Sequence, residues 1–189
     1  MREIVYFSRK AWTTGNFKDL MKAGRMDIAC HAVIMSFFIS NARRQDVVLH
    51  LFFYGPPDPP KHLEIRSGAP LSKKDIARII KIMLFKYKQG KRVEALRDCF
   101  IEKKNLLSFI EEKIKEGKKI YLCDKRGEDI RKVEIEKEGI FIIGDHQGLP
   151  LKEKKRITQI ATKLSLGKIT YLASQAITIL QNELDRREI

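Results

Sequence analysis

Two kinds of apolar segment alternate along this chain, and their alternation limits the folds that it can adopt. Short runs rich in β-branched and aromatic residues, such as residues 2–7 (REIVYF) and 140–143 (IFII), have the composition of buried strands. Other segments, such as residues 26–38 and 76–84, repeat apolar residues every three or four positions, which is typical of helices with one buried face. The alternation predicts an α/β fold for residues 1–189, a single domain with helices on both faces of a parallel sheet.

Local signals predict where several of these elements begin and end. Ser72 with Asp75 three residues later has the pattern of a capping box for a helix over residues 73–88, and Asn105 is a suitable cap for the helix that follows. The proline-rich residues 55–60 (GPPDPP) cannot continue a helix or a sheet and predict a fixed loop. A last helix is expected over residues 171–186.

The strongest local pattern is residues 141–150 (FIIGDHQGLP), a buried strand that leads directly into two glycines. In a parallel sheet ligands bind beyond the carboxyl ends of the strands, and Gly144 and Gly148 would allow the backbone to approach a ligand closely. An ordinary turn into a helix, with Pro150 at its first position, explains the pattern equally well. No Gly-Lys-Ser/Thr follows, which excludes a phosphate-binding P-loop.

The charge balance favours a nucleic-acid partner. Lys and Arg outnumber Asp and Glu by 38 to 24, which gives a formal net charge of +14. A surface enriched in both Lys and Glu for heat stability would raise both signs together and does not account for the surplus. The excess is expected of a protein that binds a phosphate backbone, although charge does not distinguish RNA from DNA.

The cysteines, histidines and apolar runs each limit the class of protein. Three widely spaced cysteines, Cys30, Cys99 and Cys123, favour reduced thiols and therefore a cytoplasmic protein. The histidines are His31, His50, His62 and His146; with the cysteines they form no recognisable ligand spacing, so we predict no metal site. The apolar runs fall short of the roughly 20 residues needed to cross a bilayer, so we predict no membrane anchor.

Several segments together resemble a known group of enzymes. Residues 141–150 and 164–174 (LSLGKITYLAS) look like the two cofactor loops of SPOUT methyltransferases. The ending QNELDR at residues 181–186 is similar to the HNELDR helix of one SPOUT family, the archaeal tRNA (pseudouridine-54) N1-methyltransferases. The other shared motifs are AGRMD (23–27), GPPDPP (55–60) and DKRGEDI (124–130). The resemblance spans nearly the whole chain.

The resemblance implies a three-layer, parallel-sheet SPOUT fold with a deep trefoil knot in its C-terminal part. About residues 118–189 would form the knotted part that binds S-adenosylmethionine, and the N-terminal half would face the substrate, tRNA. A homodimer is also implied, with its interface beside the knot; the apolar face of the last helix would suit that interface or the core. The residues implied for the cofactor are Leu122, Cys123, Gly144, Leu166, Gly167, Lys168, Ile169, Thr170 and Tyr171.

The implied reaction is methyl transfer to N1 of pseudouridine at position 54, in the T-loop of tRNA. A sulfonium methyl group is already a strong electrophile, so the protein must mainly align the acceptor and favour its anionic form. Asp27 is a candidate general base, and Arg25 a candidate stabiliser of the developing charge. For Asp27 a helix-start role, favoured by the helix dipole, is an equally good explanation. Asp145 is the second candidate, with fixing of the loop as its alternative role.

The N-terminal half offers candidates for binding RNA. The predicted phosphate contacts are Arg9, Lys10, Lys18, Arg43 and Arg44. Trp12, the single tryptophan, would either stack on an extruded base or pack in the core.

The chain departs from the family pattern at two places near the second cofactor loop. It has Lys168 where relatives commonly have Pro, and Gln175 and Ala176 where they often have His-Cys. Two alternatives to the leading hypothesis therefore stay open. One is a SPOUT methyltransferase for another pseudouridine, as in ribosomal RNA, and the other is an inactive RNA-binding module.

Overall fold

The computed structural model describes residues 1–145 and 147–189, so His146 of the predicted glycine loop lies outside the described residues. The described part contains one sheet of eight strands in the order β4-β5-β3-β2-β1-β7-β6-β8. The strands are β1 (Arg2–Ser8), β2 (Val47–Phe53), β3 (Lys61–Arg66), β4 (Val93–Leu96), β5 (Cys99–Glu102), β6 (Ile120–Asp129), β7 (Ile140–Gly144) and β8 (Thr162–Ser165). The helices are α1 (Met26–Phe37), α2 (Ile76–Phe85), α3 (Leu106–Lys115), α4 (Leu151–Ile160) and α5 (Ala173–Arg186).

Five neighbouring strands, β2-β1-β7-β6-β8, are parallel, which confirms the predicted α/β class. The central strand β1 is buried along its whole length, as its β-branched and aromatic sequence predicts. Helices α1, α2 and α5 cover one face of the sheet, whereas α3 and α4 cover the other. The three-layer arrangement is therefore as expected.

The other three strands correct the expectation of a wholly parallel sheet. Strands β3, β5 and β4 extend the sheet in antiparallel order beyond β2. Short connections explain the antiparallel pairing. The loop over residues 54–60 and the turn between β4 and β5 are too short for the crossover helix that parallel neighbours need. Neither β4 nor β5 was predicted from the sequence.

The predicted helix ends are partly right. Asn105 caps α3, because its side chain accepts a hydrogen bond of 2.8 Å from the Ser108 N–H. The capping box at Ser72 is wrong: α2 begins only at Ile76, and Asp75 makes no side-chain cap. The last helix begins at Ala173, so residues 166–172 are free to form a loop beyond β8.

The N-terminal strand is tied to the last helix by a buried arginine. The Arg2 guanidinium donates to Gln181 Oε1 at 2.9 Å and to Asp185 Oδ1 at 2.7 Å, both on α5. Gln181 in turn donates to the Ser36 carbonyl at 3.1 Å, which joins α5 to α1. No helix in the described ranges has the length and apolar character needed to cross a membrane.

Candidate active site

A cavity of about 450 Å³ opens at the carboxyl ends of β6, β7 and β8. Because these strands are parallel and adjacent, the segments that follow them meet at one edge of the sheet. Its walls come from Leu122 and Cys123 in β6, from residues that follow Gly144, and from the loop that follows β8. The two segments that resemble SPOUT cofactor loops therefore enclose one space.

Most residues predicted for the cofactor line this cavity. Those in its wall are Leu122, Cys123, Gly144, Leu166, Gly167, Ile169, Thr170 and Tyr171. Lys168 is exposed and does not line the cavity. Wall residues that were not predicted include Asp124, Lys125, Arg126, Leu149, Lys154 and Ala176. The first three come from the DKRGEDI motif, Leu149 from the loop after β7, Lys154 from α4 and Ala176 from α5. The sequence pattern could not place the DKRGEDI motif and α4 against the two loops.

Asp145 fixes the loop after β7 to the end of β1. Its carboxylate accepts hydrogen bonds from the Ser8 hydroxyl (3.1 Å) and from the backbone N–H groups of Arg9 (3.0 Å) and Gln147 (2.8 Å). Its own N–H donates to the Phe7 carbonyl at 2.9 Å. The loop-fixing role that was its alternative is thus present in the structure, on the wall of the cavity.

Two wall residues of the cavity have shifted acidities. Burial raises the pKa of the Cys123 thiol to about 12, which keeps it neutral at physiological pH. Burial alone would also raise the pKa of Asp124, but the Arg126 N–H and the Lys154 ammonium, 3.0 Å away, lower it overall. The Asp124–Lys154 ion pair connects the DKRGEDI segment with α4 across the cavity rim.

Arg25 and Asp27 lie at the start of α1 and do not line the cavity. They form a bidentate ion pair, with contacts of 3.0 and 2.9 Å, and the hydrogen bond from Arg25 lowers the pKa of Asp27. The pair is near the buried Tyr6 hydroxyl, whose pKa is raised by burial and by the charges of Asp145 and Asp27. The Tyr6 hydroxyl is thus influenced by charges of both the AGRMD motif and the cavity loop.

The AGRMD and GPPDPP motifs share a structural task. A side chain at Gly24, which has a φ of +70°, would meet the Lys10 carbonyl oxygen at 1.7 Å, and one at Gly55 would meet it at 2.2 Å. The Thr13 N–H donates to the Pro56 carbonyl at 2.8 Å. Both motifs therefore hold the segment that carries Arg9 and Lys10, next to Asp145.

The five residues predicted to contact RNA fall into two groups. Arg9, Lys10 and Lys18 are exposed. Arg43 instead donates to three backbone carbonyls, at 2.6 to 3.1 Å, and Arg44 forms a bidentate pair with Asp185, with both contacts at 2.6 Å. The positive charges of Arg43 and Arg44 are thus engaged within the protein.

Trp12 is partly buried and packs against the main core, as its alternative role required. The expected apolar face of α5 also belongs to the core: Ile177, Leu180 and Leu184 are fully buried in the single chain. This face is therefore not free to form a dimer interface.

Comparison with known proteins defines the class of this chain, the SAM-dependent RNA methyltransferases. Nep1 from Archaeoglobus fulgidus, solved bound to S-adenosylhomocysteine, shares the fold with a TM-score of 0.66 over 99% of this chain and 98% of that one, at 14% identity. The chain belongs to the family described as "Putative SAM-dependent RNA methyltransferase", which matches residues 1–189 and confirms the resemblance seen in the sequence.

Similar curated proteins include archaeal enzymes named tRNA (pseudouridine(54)-N(1))-methyltransferase. The one from Methanocaldococcus jannaschii is 33% identical over 205 residues, which cover 100% of this chain and 98% of the relative. The one from Methanococcus aeolicus is 35% identical over 205 residues and is covered completely, as is this chain.

Proposed function

We propose that this protein transfers a methyl group from S-adenosylmethionine to N1 of pseudouridine 54 in the T-loop of tRNA. The observation that carries the proposal is the single cavity formed by the two cofactor-like loops, in a chain similar along its full length to enzymes of that name. The surplus of positive charge fits the tRNA substrate. We assign the protein to the cytoplasm.

The cavity suits the cofactor in size and in lining. Its volume of about 450 Å³ falls within the range of small-molecule sites. Leu122, Leu164 and Leu166 give it apolar walls, and the glycines Gly144 and Gly167 expose backbone groups that suit adenosine. When bound, S-adenosylmethionine supplies the methyl group as an electrophile. Lys168 is left out of the proposed cofactor site because its side chain lies outside the wall.

The acid–base roles follow from the ion pair at the start of α1. Asp27, with its lowered pKa, is ionised at neutral pH and is a weak base. We therefore propose that Arg25 stabilises the negative charge that develops on the pseudouridine ring, and that Asp27 holds the Arg25 guanidinium in place. Asp145 positions the loop between Gly144 and Leu149 and the N–H of Arg9.

The exposed segment beside the cavity is the proposed entry surface for RNA. Arg9, Lys10 and Lys18 would contact phosphates, whereas Arg43 and Arg44 are omitted because their guanidinium groups are already bonded. The hydrogen bond from the Arg9 N–H to Asp145 supports an RNA surface beside the proposed cofactor loop.

The C-terminal part is proposed to be knotted. Leu164 of β8 pairs both with Cys123 and with Glu128 of β6, so the two halves of β6 flank β8. This is the arrangement expected when β8 passes through the loop over residues 123–128. Residues 1–189 would then form one domain whose part from about residue 118 onward is the knotted cofactor-binding region.

A homodimer is proposed on the exposed apolar residues beside the cavity. Ile169 is 67% exposed and Leu172 is 56% exposed, in the loop after β8. A second copy that packs here would bury these side chains and bring its own surface close to the cavity.

The test is a transfer assay with two RNAs. Purified protein is incubated with labelled S-adenosylmethionine and T-loop stem-loops that carry either uridine or pseudouridine at the target position. The products are then mapped by mass spectrometry. We expect label only in the pseudouridine RNA, at N1. An Arg25→Gln variant should retain cofactor affinity and lose transfer rate, and His31→Gln, an exposed change on α1, is the control.

The alternatives give different results. Cofactor binding without transfer to either stem-loop would contradict the tRNA substrate and favour another RNA pseudouridine. Absence of cofactor binding would contradict an enzyme altogether and favour the RNA-binding module.

A further inference from the structure

A line of buried and partly buried ionisable side chains crosses four strands on the α3 face of the sheet, away from the cavity. Glu3 of β1 contacts His50 of β2 (Oε2 to Nε2, 3.3 Å). His50 contacts His62 of β3 (Nδ1 to Nε2, 3.0 Å), and His62 contacts Glu102 of β5 (Nδ1 to Oε1, 3.1 Å). Neither histidine is more than 3% exposed. None of the four lines the cavity, and the proposed function does not use them.

The imidazole nitrogens that face the two carboxylates, His50 Nε2 and His62 Nδ1, must both carry hydrogen. Glu3 is held by the Lys113 ammonium at 3.3 Å and Glu102 by the Lys104 ammonium at 3.3 Å. Ammonium groups only donate, so both carboxylates are acceptors. Each histidine therefore donates from the nitrogen that faces its carboxylate.

The two imidazole nitrogens that face each other are then left without hydrogen. A neutral imidazole carries hydrogen on one nitrogen only, so His50 Nδ1 and His62 Nε2 both turn lone pairs toward each other across 3.0 Å. Two buried lone pairs at this distance repel, and the arrangement requires a cation that both can bind. A shared proton or a metal ion would each satisfy the two nitrogens.

Glu64 favours the metal ion. It lies directly opposite His50 in the pairing of β2 with β3, and it shares a face of β3 with His62. Ligand atoms of His50, His62 and Glu64 all lie within 4.8 Å of one another, and all three residues are buried. A shared proton needs only the two nitrogens, whereas two imidazoles and a carboxylate form a common donor set for zinc.

The surroundings of the three ligands resemble the outer shell of a metal site. Metal-bound histidines usually donate their other N–H to a carboxylate, as His50 does to Glu3 and His62 to Glu102. The Phe52 ring stacks on His62 with centroids 4.5 Å apart, which fixes that imidazole. Tetrahedral zinc would separate the two nitrogens by about 3.3 Å, so the rings need to move only slightly.

The positive groups around Glu64 leave room for a metal. Arg66 and Arg92 donate to its two oxygens at 2.6 and 2.9 Å. A carboxylate has about four lone-pair positions, so two remain for a metal ion. Both arginine side chains are partly exposed, at 48% and 39%, so this side of the site can open to solvent.

We propose that His50, His62 and Glu64 bind one divalent transition-metal ion, of the zinc class. The ion ties β2 to β3, the junction at which the sheet changes from parallel to antiparallel. Its role is structural, because the three ligands lie apart from the cavity wall. Linear spacing concealed the site, since its ligands come from two strands that only the fold brings together.

The test uses untagged protein stripped with a chelator. Isothermal titration with Zn²⁺ should give one site per chain, and Co²⁺ should give the visible absorption bands of a bound ion. Zn²⁺ should also raise the Tm. Glu64→Gln, which keeps the shape of the side chain, should weaken Zn²⁺ binding at least tenfold, and Glu102→Gln should weaken it roughly 10–100-fold. His31→Gln, an exposed histidine on α1, is the matched control and should bind as the unchanged chain does.

Several outcomes overturn the proposal. Absence of stoichiometric Zn²⁺ and Co²⁺ binding by the unchanged chain would leave a shared proton as the cation between the two histidines. Zn²⁺ binding that survives Glu64→Gln and is lost in His31→Gln would place the ion elsewhere. Absence of binding by the unchanged chain overturns the proposal even if a variant fails to fold.

Discussion

Replacing Arg43 tests whether its positive charge serves the fold or the RNA. The guanidinium donates to the carbonyl oxygens of Leu71 (3.1 Å), Ser67 (2.6 Å) and Ala69 (3.0 Å). It therefore ties the loop between β3 and α2 to the segment after α1. Arg43→Ala removes all three bonds and leaves the carbonyls to find other donors.

The expected loss of stability follows from these three bonds. A hydrogen bond to a charged group contributes about 1.5–3 kcal/mol, but bonds that share one donor group do not add fully. We expect Arg43→Ala to lower the free energy of unfolding by about 3 kcal/mol. For a domain of this size the Tm should then fall by roughly 6–12 °C.

Calorimetry and an RNA titration on the same samples distinguish the two roles. Arg43→Ala should unfold at lower temperature and, below its Tm, bind a T-loop stem-loop as the unchanged chain does. Arg9→Ala, at an exposed arginine, should change stability by less than about 0.5 kcal/mol and weaken RNA binding. An unchanged Tm with weakened RNA binding in Arg43→Ala would refute the structural assignment.

Three further changes have defined outcomes. Gly127→Ala would place a Cβ 2.7 Å from backbone atoms of Leu164, so refolding yield and Tm should both fall; unchanged values would contradict the close crossing of β6 and β8. The hydrogen bond from Arg44 lowers the pKa of Asp185, so the free energy of unfolding lost in Asp185→Asn should be largest at neutral pH. This loss should begin to shrink as pH falls to about 4 and should disappear only as pH falls through the lowered pKa of the folded chain, as denaturant titrations will show. Asp145→Ala should weaken S-adenosylmethionine binding in calorimetric titrations, because the loop loses three hydrogen bonds. If the variant binds the cofactor as tightly as the unchanged chain, the loop does not take part in cofactor binding.

The sequence predicted those parts of the fold that local patterns of residues determine. Residues 140–143 are uniformly apolar, and β7 is buried on both faces. β4 and β5 have mixed burial and four residues each, so their composition gave little signal. β8 forms because it pairs with β6, a distant segment, and nothing within its four residues specifies a strand.

The candidate site shows the same division between local and distant information. Gly144 and Gly167 could be placed in one site because each belongs to a motif. The task of Arg43 could not be predicted, because its acceptors lie 24 to 28 residues away and are backbone atoms. The close packing around Gly144 also depends on the fold: a Cβ there would meet the backbone of Gly148 at 3.0 Å, so a larger residue would displace the loop.

The central position of β1 has a consequence for how the protein is made. During synthesis β1 emerges before both of its neighbours. It can pair with β2 after a few dozen residues, but β7 does not exist until residues 140–144 have left the ribosome. Until then a long, apolar strand keeps one edge unpaired, which invites association with other chains. Contacts this distant in sequence also slow folding. Nascent chains of this protein should therefore depend on protection by chaperones until most of the sequence has been translated.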